Sequence, residues 1–206
     1  VSLCGDGLGY SITISETHPN TTIKKTPDYA IKTFKTDHKT SSTGYTLIET
    51  ERKGRFFREK AEELGVPVGK DFSTLHEGNS ITLKDGSIVS PEQVIGPPRP
   101  GRKIAYTGDT RPTKTTIEAV SGFDLLIHDS TFTEEYQQRA KLTGHSTALE
   151  AAEIATKADI SHLVLTHISS RFSGNSNLLL NEAKTRFNGE LTLAHDGLEI
   201  DIPYVD

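Results

Sequence analysis

The chain has 206 residues, of which 25% are charged and 33% hydrophobic, and its formal net charge is −5 at pH 7. This length fits one domain, or one domain with an appended arm, and the composition predicts a folded, soluble chain. The net charge excludes a surface that is basic all over, but it leaves room for a local basic patch that could bind nucleic acid. No apolar run approaches the ~20 residues that cross a bilayer, so we expect no membrane partner.

Cys4 is the single cysteine, which excludes an internal disulfide and fits a reducing compartment such as the cytoplasm. The first ten residues lack the basic and apolar segments of a signal peptide. The chain contains no methionine, not even at position 1. Because a natural cytosolic chain starts with methionine, we expect this chain to be a fragment of a longer protein.

Residues 1–50 carry three segments in which apolar and polar residues alternate with a period of two: GYSITISE (9–16), YAIKTFKTDH (29–38) and TGYTLIET (43–50). This period predicts strands with one solvated face.

Residues 51–100 form a separate insert. The run RKGRFFREKAEELG predicts a helix that ends at Gly65, and ITLKDGSIV predicts a hairpin that turns at Asp85-Gly86. A strap rich in proline and glycine, IGPPRPGRK, returns the chain. Basic side chains and two phenylalanines are concentrated in residues 51–60. They indicate either a solvated helix with i,i+4 charge pairs or a projecting arm that meets phosphates.

Residues 101–206 alternate between predicted strands and helices, which indicates a layered α/β domain. The predicted strands are KIAYTGD, FDLLIHDS and SHLVLTH, followed by a final strand or strand pair in ELTLAHDGLEIDI. The predicted helices are TTIEAVSG, TALEAAEIATKA and NLLLNEAKTRF, the last ending near Asn188-Gly189. Two pairs have capping-box spacing, Thr115 with Glu118 and Thr147 with Glu150.

Several residues that could carry chemistry lie at the ends of these segments. Asp109 follows a strand, where it is either a turn residue or a ligand. His38, His128 and His167 also lie at segment ends, and His145 lies just before a predicted helix. Because the carboxyl ends of neighbouring parallel strands meet at one sheet edge, these side chains are candidates for a hydrolytic metal site.

Five motifs follow one another in order: YTGDTRP, LLIHDSTF, GHST, LTHISSRF and AHDG. This order resembles the carboxyl-terminal half of the ribonuclease Z family, the tRNA 3′-processing endonucleases of the metallo-β-lactamase superfamily. TDHKTSSTGY is similar to the family's histidine segment, and the insert is similar to its tRNA-clamping arm, particularly in archaeal members. The resemblance covers nearly the whole chain.

The resemblance implies an α/β fold class, namely the carboxyl-terminal portion of a metallo-β-lactamase αβ/βα sandwich with an inserted projecting arm. Residues 1–50 would supply strands from the central part of the sandwich, and residues 51–100 the tRNA-binding arm. Residues 101–206 would form the second α/β half, with the metal and catalytic residues. The family's His-x-His-x-Asp-His signature does not occur in the 206 residues. We therefore expect the isolated chain to be inactive and to hold at most a weak, open metal site.

The resemblance also implies the residue roles. His38 would bind one zinc ion, His167 a second, and Asp109 would bridge the two. His145 would act beside the scissile phosphate as a general acid or oxyanion stabiliser, with Asp129 orienting it. The same ligand types would accept Mn²⁺.

Two further groups are expected to contact substrate phosphates: Ser169, Ser170 and Arg171 after the third strand, and Arg52, Lys53 and Arg55 in the arm. An alternative for the first group is a polar loop that caps the next helix. The implied function is zinc-dependent removal of the 3′ trailer from precursor tRNA by a homodimer. The alternatives are a catalytically silent tRNA-binding fragment and a small-molecule phosphodiesterase of the same superfamily.

Overall fold

The computed structural model describes residues 13–204. Within these residues, seven strands form one sheet in the order β1-β2-β3-β6-β7-β8-β9, and two short strands form a separate hairpin. The strands are β1 (Thr22–Lys25), β2 (Tyr29–Lys35), β3 (Thr43–Glu49), β4 (Ile81–Thr82), β5 (Ile88–Val89), β6 (Lys103–Tyr106), β7 (Leu125–Asp129), β8 (His162–Thr166) and β9 (Glu190–Leu193). The helices are α1 (Arg58–Glu63), α2 (Lys70–His76), α3 (Pro91–Val94), α4 (Lys114–Val120), α5 (Gln137–Thr143), α6 (Ala148–Lys157) and α7 (Asn177–Ala183).

The sheet changes character at β6. From β1 to β6 neighbouring strands are antiparallel, whereas β6, β7, β8 and β9 run parallel. Strands β7 and β8 are buried along almost their whole length, which explains why LLIHD and HLVLT are nearly continuous apolar runs. The predicted α/β class is confirmed.

Helices α4, α6 and α7 cover one face of the sheet. Helix α6 packs against β7, β8 and α7, and α7 also contacts β9. The predicted capping box at the start of α6 is present, since Thr147 accepts from the backbone N–H of Glu150 and Glu150 accepts from that of Thr147. The core between this face and the helices is rich in small alanines, such as Ala151 and Ala155, which let α6 lie close to the strands.

Several boundaries differ from the predictions. Helix α4 is capped by Thr113, whose side chain accepts from the backbone N–H of Thr116, so the predicted Thr115–Glu118 box is wrong. Helix α7 ends at Ala183 rather than near Asn188, because the chain turns at 184–186 to bury Phe187. Residues 13–16 of the first predicted strand are not in a strand, and residues 9–12 lie outside the described part.

The insert has a hydrophobic cluster of its own, built around the buried side chains Ala61, Val66, Leu75, Val89 and Val94. The predicted helix is wrong in its first half: α1 begins only at Arg58, and residues 52–57 are extended because they pair with the returning strap. Arg52 pairs with Arg99 and Phe56 with Ile95 in antiparallel bridges. The hairpin turn at Asp85-Gly86 is as predicted. The three-part division of the chain stays a prediction.

On the sheet face away from α4, α6 and α7, strands β1, β2, β3 and β6 present an apolar depression. Its lining includes Ile23, Tyr45 and Tyr106, which are each more than a third exposed. Separately, none of the helices within residues 13–204 combines the length and the apolar character that crossing a membrane requires.

Candidate metal and catalytic site

The site lies where the parallel strands β6, β7 and β8 end. Their register pairs Tyr106 with Ile127 and Asp129 with Thr166, so the three carboxyl ends reach the same edge of the sheet. After β6 the chain turns at Gly108, which has φ of +62°, a value that favours glycine. The turn brings Asp109 to this edge.

Four of the predicted site residues meet here. The His38 and His145 rings lie 5.0 Å apart between centroids, and the His145 and His167 rings 4.9 Å apart. Nε2 of His167 is 3.4 Å from Oδ2 of Asp109. One ligand atom each from His38, Asp109 and His145 lies within 4.8 Å of the other two. Residues from four separate chain segments therefore form one cluster.

Asp129 is the fifth predicted residue, and it lies directly beneath His145. Its carboxylate is fully buried and its Oδ2 lies 2.8 Å from Nδ1 of His145. The backbone N–H of Thr110 donates to Oδ2, and the N–H and hydroxyl of Thr131 donate to Oδ1. An ionised carboxylate only accepts, so Nδ1 of His145 must donate. This bond fixes the His145 tautomer and leaves Nε2 facing the cluster with its lone pair.

His38 offers an atom that fits a metal ion. Its Nε2 is buried and has no hydrogen-bond partner among the described residues. Nδ1 lies 3.2 Å from the Thr40 hydroxyl, and donation to that oxygen leaves a lone pair on Nε2. An unpartnered buried nitrogen is costly unless something binds it. Together with the second imidazole and the carboxylate, it forms a donor set that suits Zn²⁺.

The position of His38 depends on Gly144. This glycine has φ of +86°, and a Cβ atom there would lie 3.1 Å from both Cδ2 of His38 and the backbone nitrogen of Lys39. The loop before α6 therefore packs on the His38 imidazole without any intervening side chain. A side chain at residue 144 would force the His38 ring or the backbone at Lys39 to shift by a few tenths of an ångström.

The structure leaves two roles for His145. It groups His145, rather than His167, with His38 and Asp109 as possible ligands. A carboxylate that orients an imidazole is found both behind acid–base histidines and behind metal-ligating histidines. The predicted ligand set of His38, Asp109 and His167 thus stays a prediction, as does the catalytic role of His145.

His167 is followed by the predicted phosphate-binding loop. His167 has φ of +58°, a conformation that is uncommon for residues with a side chain. The Ser169 hydroxyl accepts from the backbone N–H of Arg171 and begins a 3₁₀ turn over Ser170–Phe172. The guanidinium of Arg171 lies 5.4 Å from the Tyr136 ring. Ser169 therefore caps this short turn and not the next helix, α7, and both the phosphate contacts and the alternative stay predictions.

The arm residues Arg52, Lys53 and Arg55 lie at the base of the insert. The Arg52 guanidinium stacks on the Tyr204 ring, 3.8 Å from its centroid, and its Nε donates to the Pro100 carbonyl. Nζ of Lys53 donates to the His76 carbonyl. These contacts are made to the strap, to α2 and to the tail, and the phosphate-binding role stays a prediction.

Arg111 was missed by the sequence analysis, although it stands in the quoted YTGDTRP motif. Its guanidinium forms a bidentate pair with Glu150 and donates to the His145 carbonyl. Its backbone N–H donates to the Asp37 carbonyl, next to His38. The sequence offered one signal for Arg111, namely that it lies two residues after Asp109.

Two further histidines are buried outside the cluster. Burial lowers the pKa of His128, whose Nδ1 lies 2.7 Å from the Asp129 carbonyl. Burial also lowers the pKa of His162, whose Nε2 contacts the Thr192 hydroxyl. Both side chains are packed within the sheet, where a neutral imidazole is favoured.

Comparisons with known proteins agree with this fold. Residues 73–168 match the model of the β-lactamase superfamily domain. The metallo-β-lactamase fold protein YhfI from Bacillus subtilis superposes with a TM-score of 0.57 at 23% identity, covering 88% of this chain and 53% of that one. Human tRNase Z, short form, superposes with a TM-score of 0.53 at 23% identity, covering 88% of this chain and 46% of that one. The chain therefore has the metallo-β-lactamase fold.

In sequence, the chain is similar to ribonuclease Z. It is 48% identical to the ribonuclease Z of Haloferax volcanii over 198 residues, which are 96% of this chain and 62% of that protein. The resemblance predicted from the motifs is thereby confirmed. The chain spans less than two thirds of the length of this relative.

Proposed function

We propose that this chain is the arm-bearing and metal-binding part of an endoribonuclease that removes the 3′ trailer from precursor tRNA. One observation carries the proposal: in a chain related to ribonuclease Z over 96% of its length, His38, Asp109, His145 and His167 converge at one sheet edge. The relationship supplies the reaction class, and the cluster supplies side chains able to perform it.

His145 is the proton-transferring group in this proposal. Asp129 holds its Nδ1–H, so any proton gained or lost by the imidazole is exchanged at Nε2, which faces the cluster. A positioned imidazole of this kind can donate a proton to the leaving 3′ oxygen. The buried Asp129 carboxylate keeps the ring in one orientation.

His38, Asp109 and His167 would hold the metal ions, with Asp109 shared between them. When bound, Zn²⁺ or Mn²⁺ would lower the pKa of a water molecule and offset the negative charge of the phosphate. Nε2 of His38, which has no hydrogen-bond partner within residues 13–204, supports this assignment. Zinc as the physiological metal belongs to the proposal.

The insert would bind the tRNA body. Its basic segment would contact phosphates, so binding should weaken steeply with salt. Ser169, Ser170 and Arg171, next to His167, would hold a phosphate near the scissile bond. The proposal further includes a homodimer, in which the arm of one subunit serves the site of the other, and a cytoplasmic location, which the single cysteine fits.

Cleavage of a 3′-extended precursor tRNA by the natural protein that contains this chain, with Zn²⁺ added, tests the proposal. We expect trailer release by the natural protein and none by the Asp109→Ala variant. A small phosphodiester is assayed in parallel. Cleavage of the small phosphodiester alone would support the phosphodiesterase alternative, and tRNA binding without cleavage would support the silent binding module.

A further inference from the structure

Arg111 connects the two loops that supply the imidazoles of the cluster. Its guanidinium, with only 15% of the side chain exposed, meets both oxygens of Glu150, with Nη1 2.7 Å from Oε2. Nη1 also donates to the carbonyl of His145. Its backbone N–H donates to the carbonyl of Asp37 at 2.6 Å. One residue thus holds the main chain immediately before His38 and the main chain of His145 itself.

The same connection extends to helix α6. Glu150 accepts from the backbone N–H of Thr147, the residue that caps this helix. The neighbouring Thr110 adds bonds to the same loops, because its carbonyl accepts from the buried Ser146 hydroxyl and its own hydroxyl accepts from the N–H of Asp37. The loop at 144–147 is therefore tied at several points to the chain that follows Asp109.

The chemistry of this position requires an arginine. A planar guanidinium can meet a carboxylate with two N–H groups while a further N–H reaches a carbonyl, whereas an ammonium offers a point charge without this fixed fork. A nearly buried ion pair contributes little net stability compared with apolar side chains of similar size. The third bond, to the His145 carbonyl, orients the loop that carries the imidazole.

We propose that Arg111 is a positioning residue that fixes His145 relative to His38, so that Nε2 of His145 and Nε2 of His38 face one common space. This inference rests on the proposed function for its catalytic consequence, but the placement of the two rings is measurable without it. Arg111 acts through the His145 main chain.

The test compares Arg111→Lys with Arg186→Lys in the natural protein that contains this chain. Arg186 is the matched control, because its guanidinium pairs with Glu153 at 3.8 Å on the helix surface, away from the cluster. Long-range ¹H–¹⁵N spectra of the metal-free protein report the tautomers and surroundings of His38 and His145. We expect displaced His145 and His38 signals in Arg111→Lys and unchanged signals in Arg186→Lys.

Zinc affinity and cleavage provide the second readout. Loss of a group that orients site residues costs about 10- to 100-fold in metal affinity or activity, so we expect that loss for Arg111→Lys, in kcat rather than KM. A double variant, Arg111→Met with Glu150→Met, removes both charges and leaves no unpaired buried carboxylate, so it controls for misfolding. It should remain folded and show the same displacement.

Unchanged imidazole signals in a folded Arg111→Lys protein would overturn the inference, as would a stability loss without any change in these signals, zinc affinity or kcat. If the natural protein cleaves no precursor tRNA at all, the proposed function fails. The imidazole signals still decide the inference about Arg111 in that case.

Discussion

Nδ1 of His145 lies 2.8 Å from Oδ2 of Asp129, a carboxylate with no exposed surface that also accepts three bonds from Thr110 and Thr131. Because all of these donors are fixed by the backbone or by short side chains, the His145 ring has one preferred orientation. This pair links the fold, which buries Asp129 at the end of β7, to the chemistry at Nε2.

Replacing Asp129 with asparagine should strongly impair the reaction. The amide can donate to Nδ1 and so favour the wrong tautomer of His145, and it accepts fewer bonds than the carboxylate. We expect cleavage of precursor tRNA by the natural protein to fall about 100-fold or more. Asp124→Asn is the matched control. Asp124 directly precedes β7, at the end opposite Asp129, and its carboxylate accepts from the backbone N–H of Lys103. Equal losses for both variants would contradict the specific role of Asp129.

Metal binding by two histidine variants separates the two roles of His145. If His145 is the acid–base group, His145→Ala retains zinc stoichiometry and loses cleavage, whereas His167→Ala loses part of the zinc. Elemental analysis of the purified natural protein gives the stoichiometry, and a precursor tRNA assay gives the activity. Zinc loss in His145→Ala with normal zinc in His167→Ala would instead assign His145 as a ligand, in agreement with its proximity to His38 and Asp109.

Gly144→Ala should both destabilise the protein and weaken zinc binding. The alanine would have to adopt a left-handed backbone conformation, which costs about 1–2 kcal/mol. Its Cβ would also crowd the His38 ring. Gly122→Ala is the matched control: Gly122 has φ of +68°, but no atom of the described part of the chain would lie within 4 Å of a Cβ atom there. Urea unfolding should show the larger loss for Gly144→Ala, and only this variant should bind zinc less tightly. A Gly122→Ala variant that loses stability and zinc affinity to the same extent would refute the explanation.

Because His128 is buried, we expect the free energy of unfolding to decrease at mildly acidic pH. Burial lowers its pKa below 6.5 in the folded protein. Between that lowered value and about 6.5, the unfolded chain binds the proton and the folded chain does not, so the free energy of unfolding decreases as the pH falls. The contribution of His128 to the free energy of unfolding is fully present above about pH 6.5. Below that pH, one proton changes the free energy of unfolding by at most about 1.4 kcal/mol per pH unit.

The asparagine variant of His128 tests this sign, because its amide can still donate to the Asp129 carbonyl but does not titrate. We expect urea unfolding of His128→Asn to depend less on pH below about 6.5 than that of the parent protein. His195→Asn is the control, since His195 makes the same contact with the next residue's carbonyl, at 3.0 Å, but is exposed. A parent-like pH dependence in His128→Asn would contradict the prediction.

Neutralising the basic segment of the arm should weaken tRNA binding and its salt dependence together. The triple change Arg52→Gln, Lys53→Gln and Arg55→Gln should lower the slope of log affinity against log salt by up to about 3. Cleavage of a small phosphodiester should be spared. The control neutralises Lys157, Lys184 and Arg186, outside the arm. An unchanged slope, or equal loss on both substrates, would refute phosphate contacts by the arm.

The predictions from sequence were most accurate where local pattern and burial agree. The strands β6, β7 and β8 and the cap of α6 follow directly from apolar runs and from the Thr147–Glu150 spacing. For residues 52–57 the prediction from sequence was wrong. Their composition favours a helix, but pairing with the strap through Arg52–Arg99 and Phe56–Ile95 keeps them extended. Local propensity is weak compared with such pairing between distant segments.

The order of the elements, the fold class and the residues at the strand ends could be predicted from the sequence, because apolar periodicity and motif order are properties of neighbouring residues. Which of these residues meet depends on contacts between segments that are distant in the sequence. His38, Asp109, His145 and His167 are brought together by the parallel register of β6, β7 and β8 and by the turn of Gly144 against His38. The contacts of Arg111 also depend on the fold. Its partners Asp37, His145 and Glu150 lie up to 74 residues from it in the sequence, and only folding brings them within hydrogen-bond distance.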